Sequence, residues 1–206
     1  MYRELNIKDK RMIAIIKYNA GNFTSVKNSV EKLGYDCVVT DDVTVISAAE
    51  KVIFPGVGEA SSAMGYLKKT GLDIVIKNVS QPFLGICLGM QLMCSESEEG
   101  NTKCLDIFSA KVKRFPDTGI VPHMGWNNFT QAKGPLLKNI KLEDDVYYVH
   151  SYYVESNLNS IADCDYILAF SVAMQKDNYY GTQFHPEKSA DIGEKILKNF
   201  LELKDN

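Results

Sequence analysis

The sequence lacks the features that mark metal-binding, disulfide-rich, membrane and nucleic-acid-binding proteins. Its five cysteines are irregularly spaced and form no CxxC motif, which argues against a disulfide framework and a zinc site. No apolar run reaches membrane-spanning length, and the N-terminus is too charged for a signal peptide. The formal net charge is only -3 and no Lys/Arg cluster occurs, so nucleic acid is not an expected partner. We therefore expect a cytoplasmic protein without metal, cofactor or membrane contact.

The chain is long enough for one α/β domain with a full core, since 45% of its 206 residues are hydrophobic. Residues 1–11 are polar and charged, and an apolar strand pattern starts abruptly at Met12. We expect residues 1–11 to be an N-terminal extension with no chemistry and residues 12–206 to form a single domain. Met12 is a candidate for the natural start.

Strand and helix patterns alternate in the first half, which predicts a parallel sheet flanked by helices. Strands are predicted at 12–18, 35–40 and 51–54 and again from residue 82, with an acidic link after residue 40. One helix is predicted to carry Val26, Val30 and Leu33 on its apolar face. A second is predicted through Met64 and Leu67, and a third over 72–79. The region 104–183 holds short β-like runs, among them 145–154 and 166–172, and therefore looks more antiparallel. A last amphipathic helix is predicted from residue 192.

A turn bracketed by glycines, Gly85-Ile86-Cys87-Leu88-Gly89, separates an apolar strand pattern from a helix pattern. This is the pattern of a nucleophile elbow with sulfur in place of a hydroxyl, because glycines let a sharp turn pass close to its neighbours. The sulfur of Cys87 would face the unpaired N–H groups of the following helix, whose partial positive charge favours a thiolate. The alternative is a buried cysteine packed as a small apolar residue.

The chain has three histidines, so a histidine that serves Cys87 as a base must be His123, His150 or His185. His185 is favoured because Pro186 keeps its predecessor extended, so that residues 185 and 187 can point to one side. Glu187 would then accept a hydrogen bond from the imidazole and orient the ring. The alternative is a surface His-Pro-Glu turn.

A tetrahedral intermediate at Cys87 requires N–H donors for its oxygen, typically from the residue after the nucleophile and from a glycine-rich loop. Leu88 and Val57 fit these roles, since Pro55-Gly56-Val57-Gly58 follows a strand whose carboxyl end is predicted at the same sheet edge. Gln91 lies one helical turn after Cys87 and would either meet a substrate or cap a solvent edge. The glycine-rich stretch has its own alternative, a simple tight turn.

Several separated motifs together resemble the class I, triad-type glutamine amidotransferases. They are GN-x-x-SV from residue 21, PGVG, GICLGMQ and HPEKS, and the resemblance covers residues 12 to about 201. PHMGWN at 122–127 and VHSYYV at 149–154 are similar to one branch of that family, the glutaminase subunits of imidazole glycerol phosphate synthases. The resemblance implies a single-domain flavodoxin-like α/β fold, with a mostly parallel central sheet flanked by helices and a more antiparallel β segment in its second half.

The resemblance also implies a mechanism and a set of site residues. Cys87 would attack L-glutamine and form a glutamyl thioester, His185 would be the acid and base, and Glu187 would orient it. Oxyanion and substrate-binding positions would be Gly56, Val57, Gly58, Leu88, Gln91, Glu99, and backbone groups of His150, Ser151 and Tyr152. The ammonia would pass to a (βα)8 cyclase subunit in a heterodimer of L-histidine synthesis. The face toward that partner would carry Asn22, Ser25, His123, Met124, Trp126 and Lys188.

Three alternatives remain at this point. A paralogous glutaminase would feed ammonia to another synthase, for example one that makes an amino sugar, since the triad does not identify the acceptor. A non-catalytic regulatory subunit on the same fold would tolerate loss of Cys87, His185 or Glu187, and all three are present. A cysteine peptidase or hydrolase is permitted by the elbow but disfavoured by the full set of motifs.

Overall fold

The computed structural model describes residues 12–19 and 21–204, so the expected N-terminal extension, residues 1–11, lies outside the described residues. Strands and helices alternate through the first half of the chain, as the sequence predicts. These elements are β1 (Ile13–Ile16), α1 (Phe23–Lys32), β2 (Cys37–Thr40), α2 (Val43–Ala48), β3 (Lys51–Gly56), α3 (Ala60–Thr70), α4 (Leu72–Asn78), β4 (Phe83–Cys87) and α5 (Leu88–Leu92).

The second half consists mainly of short strands and ends in one long helix. Its strands are β5 (Glu96–Ser97), β6 (Thr102–Lys103), β7 (Lys111–Arg114), β8 (His123–Asn127), β9 (Gln131–Ala132), β10 (Val146–His150), β11 (Tyr152–Val154), β12 (Ser160–Asp165), β13 (Ala169–Lys176) and β14 (Tyr179–Thr182). The last helix is α6 (Ala190–Leu201). Short 3-10 turns occur at Glu99–Asn101, Pro135–Leu137 and Pro186–Lys188.

The main sheet joins a parallel half to an antiparallel half. Strands β2, β1, β3, β4 and β14 lie side by side and are parallel. From β14 the sheet continues through antiparallel pairings to β13 and β11, while β8 and β10 form a separate antiparallel ribbon. The predicted change from parallel to antiparallel pairing along the chain is therefore confirmed.

Alternate residues of the parallel strands feed two separate cores, one on each face of the sheet. Ile13 and Ile15 pack with Val26 and Val30 of α1, with α6 and with the β8/β10 ribbon. Ala14, whose side chain points the other way, packs with residues of α2, α3 and α4. This follows from the two-residue period of a strand, which sends successive side chains to opposite faces.

Three sequence-based predictions differ from the structure in local detail. The acidic link after residue 40 contains α2, whose N-terminal amides of Thr44 and Val45 are capped by the Asp42 carboxylate. The β-like run 145–154 is two strands, interrupted at Ser151, and the run from residue 166 becomes a strand only at Ala169.

In the part of the chain that the structure describes, no helix is long and apolar enough to cross a membrane.

The parallel half brings three strand ends to one edge of the sheet. Gly56 at the end of β3 lies directly opposite Cys87 at the end of β4. Strand β14 flanks β4 on the other side and ends at Thr182, paired with Ile86. The residues that follow β14, including His185, therefore emerge beside Cys87. Ligand sites in such sheets form at the carboxyl ends of the strands.

Candidate active site

Cys87 occupies a strained turn at the end of β4. Its backbone has φ +53° and ψ -112°, a conformation that residues with a side chain rarely adopt. The flanking glycines permit it, because a Cβ on Gly89 would lie 1.9 Å from the carbonyl oxygen of Phe54 and one on Gly85 would lie 2.8 Å from the amide of Met90. The nucleophile elbow predicted from the sequence is thus formed.

His185 and Glu187 form a buried hydrogen-bonded pair in the turn after β14. The imidazole Nδ1 lies 2.8 Å from Oε1 of Glu187, and both side chains are 1% exposed. The turn is fixed to β10, since the amide of His185 donates to the carbonyl of Tyr147 and the hydroxyl of Ser189 donates to the carbonyl of His185. The ring orientation is therefore set before any substrate arrives.

The other ring nitrogen of His185 is available for proton transfer. Within residues 12–19 and 21–204, the buried Nε2 of His185 has no hydrogen-bond partner. Burial by itself would lower the pKa of His185, but the charge and hydrogen-bonding capacity of Cys87, followed by those of Glu187, outweigh it and raise the pKa to about 10. Negative charge on the Cys87 sulfur and on Glu187 therefore favours the protonated ring.

A cavity of about 380 Å³ opens over Cys87 and His185. That is within the range of small-molecule sites, which are concave and contain few well-placed polar groups. The predicted residues that line it are Val57, Gly58, Cys87, Leu88, Gln91, Glu99, His150, Ser151, Tyr152 and His185. Gly56 lies behind this lining, where a Cβ would meet the amide of Gly89 at 2.6 Å and the hydroxyl of Tyr18 at 2.7 Å.

Two polar residues of the cavity are already engaged within the protein. Nε2 of Gln91 donates to the carbonyl of Tyr152 at 3.0 Å and to Oε1 of Gln183 at 2.8 Å. Oε2 of Glu99 accepts from the amide of Ala60 at 2.8 Å, at the start of α3. Each residue therefore has one engaged atom and one further oxygen for a ligand.

The backbone carbonyls of the predicted 150–152 segment are also used inside the molecule. The carbonyl of Ser151 accepts from the amide of Phe115 at 3.0 Å. The carbonyl of Tyr152 accepts from Gln91 and from Nδ1 of His150, which lies 2.7 Å away. His150 is also hydrogen-bonded to His123, with 3.1 Å between Nε2 of His150 and Nδ1 of His123, and burial lowers the pKa of both histidines. These two neutral rings support the cavity wall.

Gln183 belongs to the site although no pattern in the sequence singles it out. Its Nε2 lies 3.6 Å from Sγ of Cys87, and the residue is fully buried. Only its position two residues before His185 is visible in the sequence, whereas the contact with Cys87 depends on the pairing of β14 with β4.

The residues predicted to face a partner lie on adjoining elements, but not all of them are exposed. Helix α1 contacts the 3-10 turn Pro186–Lys188, which contacts β10, the partner strand of β8. Met124 and Trp126 are 63% and 54% exposed, and Lys188 is exposed, whereas Asn22 and Ser25 are half-buried. His123 is only 3% exposed, so its side chain lies beneath this face. Across the described ranges, no group of His, Cys, Asp and Glu is arranged to hold a metal ion.

Comparison with known proteins gives consistent matches over almost the whole chain. A family model described as glutamine amidotransferase class-I matches residues 14–203. A protein of Bacteroides fragilis named imidazole glycerol phosphate synthase subunit HisH is 56% identical over 194 residues, which cover 93% of this chain and 99% of that protein. A protein of Haemophilus influenzae with the same name is 47% identical, covering 92% of this chain and 96% of that protein.

Similarity to solved structures extends to much more distant sequences. A crystal structure of a glutamine amidotransferase superimposes with a TM-score of 0.70 at 16% identity, covering 92% of this chain and 97% of that one. At this identity the match concerns the fold alone.

Proposed function

The chain belongs to the class I glutamine amidotransferases, and on this premise we propose that it is the glutaminase subunit of an imidazole glycerol phosphate synthase. It hydrolyses L-glutamine to L-glutamate and ammonia. The ammonia passes to a (βα)8 cyclase subunit, with which the chain forms a heterodimer. The cyclase uses it to make imidazole glycerol phosphate and an aminoimidazole carboxamide ribonucleotide in L-histidine synthesis.

The observation behind this proposal is the buried His185–Glu187 pair, with 2.8 Å between Nδ1 and Oε1, at the strand end beside Cys87. The thiolate of Cys87 attacks the carboxamide carbon of glutamine, and the electron pair of the carbonyl moves to its oxygen. His185 donates its proton to the departing nitrogen, the C–N bond breaks, and a glutamyl thioester remains. The neutral imidazole then takes a proton from water, which attacks the thioester and releases glutamate.

The lining of the cavity supports the assignment of the binding roles. Backbone N–H groups of Leu88 and Val57 are the oxyanion donors in this proposal, because both residues border the cavity next to Cys87. The free oxygen of Glu99 is assigned to the α-ammonium group of glutamine, while Gln91, Gly58 and the 150–152 segment bound the rest of the substrate.

The proposed docking face supports transfer of ammonia to a partner. Pro122, directly before β8, and His150 at the end of β10 line the same cavity as Cys87. The exposed side chains of Met124 and Trp126 lie on β8 of this ribbon, so a protein bound there would cover the region beside the cavity. Large apolar side chains exposed side by side are typical of an interaction surface.

A coupled assay tests the activity and the acceptor together. Glutamate formation is measured for the subunit alone, with the cyclase, and with the cyclase plus its nucleotide. We expect turnover in the complex that disappears in Cys87→Ala and persists in the matched control Cys37→Ala, whose thiol is half-buried beside α1. No glutamate from the complex would refute the glutaminase, and ammonia transfer to an amino-sugar synthase instead would identify the paralogous function.

Calorimetric titration of the subunit with the cyclase tests the docking face. Trp126→Ala and Lys188→Ala should weaken the complex. The control Ile74→Ala removes another exposed apolar side chain, 65% exposed, from α4, which packs on the opposite face of the sheet. Unchanged affinity in the first two variants would move the interface elsewhere.

A further inference from the structure

We propose that Gln183 is a further catalytic residue, whose side-chain amide donates a hydrogen bond to the Cys87 sulfur and stabilises the thiolate. The role extends the proposed glutaminase mechanism, since it concerns the same sulfur atom. It assigns chemistry to a residue that neither the elbow nor the His185–Glu187 pair contains.

The contact lies within hydrogen-bonding distance for a sulfur acceptor, and both residues are buried away from solvent. Nε2 of Gln183 lies 3.6 Å from Sγ of Cys87, and both residues are buried, at 0% and 7% exposure. Gln183 directly follows β14, and its own amide donates to the carbonyl of Val172 at 2.8 Å, so the backbone below the side chain is fixed. A hydrogen bond to a charged atom is stronger where water does not compete for it.

The direction of this hydrogen bond follows from a carbonyl group at the far end of the network. The carbonyl of Tyr152 can only accept, so the atom of Gln91 that lies 3.0 Å from it must be the nitrogen. That same nitrogen lies 2.8 Å from Gln183, so the facing atom of Gln183 must be its oxygen. The amide nitrogen of Gln183 is thereby turned toward Cys87. Both side-chain amides are oriented by one backbone group.

A donor at this position acts most strongly when the sulfur carries charge. The sulfur is negative before attack, neutral in the glutamyl thioester, and negative again when the tetrahedral intermediate of hydrolysis collapses. In that collapse the C–S bond breaks and its electron pair goes to sulfur, where the Gln183 N–H stabilises it. Loss of the donor should therefore slow breakdown of the thioester more than its formation, because a more basic thiolate attacks readily but leaves poorly.

The competing explanation is that Gln183 only satisfies buried polar groups and supports the cavity wall. Such a role predicts that loss of Gln183 lowers the stability of the protein and slows formation and breakdown of the thioester equally. It does not predict a changed ionisation of the sulfur. His185 and Tyr18 are both coupled electrostatically to Cys87, and both stay in place when Gln183 is replaced.

The first experiment follows the rate of Cys87 alkylation by iodoacetamide against pH, with no glutamine present. Gln183→Met keeps the length of the side chain and removes the amide, and Gln183→Asn keeps an amide that is one methylene too short to reach the sulfur. We expect the midpoint of the profile to rise by about one pH unit in both variants, the loss expected for one hydrogen bond to a charged group. The matched control is Gln175→Met, since Gln175 lies in β13 and donates to the hydroxyl of Tyr180 at 3.2 Å, outside the site.

The second experiment is a single turnover of glutamine in the complex with the cyclase, quenched in acid and analysed by mass spectrometry. Gln183→Met should accumulate glutamyl thioester where the unmodified protein and Gln175→Met do not. An unchanged alkylation midpoint in a folded Gln183 variant, or an equal slowing of both steps, would overturn the proposal. The alkylation profile needs no glutaminase activity, so failure of the proposed function and failure of this inference can be told apart.

Discussion

The carbonyl oxygen of Phe54 lies so close to Gly89 that a methyl group there would be 1.9 Å from it. Phe54 belongs to β3 and Gly89 to the first turn of α5, so this contact seats the elbow helix directly on the neighbouring strand. Only a residue without a Cβ permits that approach.

Replacing Gly89 should therefore damage the site and the fold together. Gly89→Ala is expected to lower the free energy of unfolding by about 1–3 kcal/mol or more, the usual cost of overpacking, and to reduce glutamine turnover. Gly65→Ala is the matched control, because Gly65 lies in α3 with nothing within 4 Å of an added Cβ and should gain about 0.5–1 kcal/mol. Urea unfolding of both variants provides the comparison. Equal effects would mean that the contact with Phe54 does not matter.

The strain at Cys87 predicts an unusual order of stabilities. At φ +53° glycine has less backbone strain than any residue with a Cβ. Cys87→Gly should therefore be more stable than Cys87→Ala by about 1–3 kcal/mol. Cys94 is buried and has no positive φ, so Ala should be the better replacement there. Thermal unfolding of the four variants tests this, and the same order at both positions would show that the elbow is not strained.

The charge of Glu187 should matter only through His185. Glu187→Gln keeps the shape but removes one of the groups that raise the pKa of His185, so we expect glutaminase kcat to fall. The fall should be smaller than the roughly 10²- to 10⁴-fold loss expected for His185→Ala. The exposed Glu143, whose carboxylate pairs loosely with Lys141 at 3.8 Å, provides the control Glu143→Gln. Unaltered kcat in Glu187→Gln would exclude the orienting role.

Alkylation should be selective for one of the five thiols. Burial raises the pKa of Cys37 to about 11 and that of Cys104 and Cys164 to about 12, and it raises the pKa of Cys94 further. These four thiols are therefore protonated at neutral pH and react slowly. We expect peptide mass spectrometry to find Cys87 modified first, with protection by a glutamine analogue. Protection at Cys94 instead would place the reactive sulfur elsewhere.

Stability should decline in mild acid because two histidines are buried in the neutral form. Burial lowers the pKa of His123 to about 4 and that of His150 to about 3. Between these values and the ordinary pKa of about 6.5, the unfolded chain binds more protons than the folded one, so the unfolding free energy falls as pH drops. The slope should rise from about one proton at pH 6.5 to nearly two protons, about 2.7 kcal/mol per pH unit, near pH 5.

The variant His123→Phe tests that assignment. Phenylalanine preserves the stacking on Tyr148 and Tyr166, whose rings lie 4.6 and 4.0 Å from that of His123. The substitution should reduce the slope of the unfolding free energy against pH by the equivalent of about one proton. Urea unfolding at several pH values measures this slope. An unchanged slope would mean that His123 takes up no proton on unfolding in this range.

The elbow and the parallel sheet were predictable because each depends on local sequence. Glycines on both sides of Cys87 predict the sharp turn of the elbow, and the pattern of apolar residues predicts the strands. Helix α2 was missed because its single buried residue, Ile46, gives almost no periodicity, and the Asp42 cap is the only remaining signal. Boundaries at Ser151 and Ala169 depend on tertiary pairing, which composition does not encode.

The polar network of the site shows a different limit. A lone glutamine such as Gln183 carries no pattern, and its contact with Cys87 exists only because two strands from opposite halves of the chain are neighbours. His123 was assigned to a partner face from motif resemblance, while its burial follows from stacking between Tyr148 and Tyr166. Sequence motifs identified which residues belong together, but hydrogen-bond direction and exposure required the fold.

The pairing of β14 with β4 also determines when, during synthesis of the chain, the site around Cys87 can assemble. Gln183 and Cys87 are 96 positions apart, and the whole antiparallel half is synthesised between them. A nascent chain that ends before β14 contains the elbow cysteine but neither His185, its proposed base, nor Gln183, its proposed amide donor. Such distant contacts form late, because the loop they close must be ordered first. The growing polypeptide therefore carries Cys87 without His185 or Gln183, and the three residues come together only once nearly all of the protein has been translated.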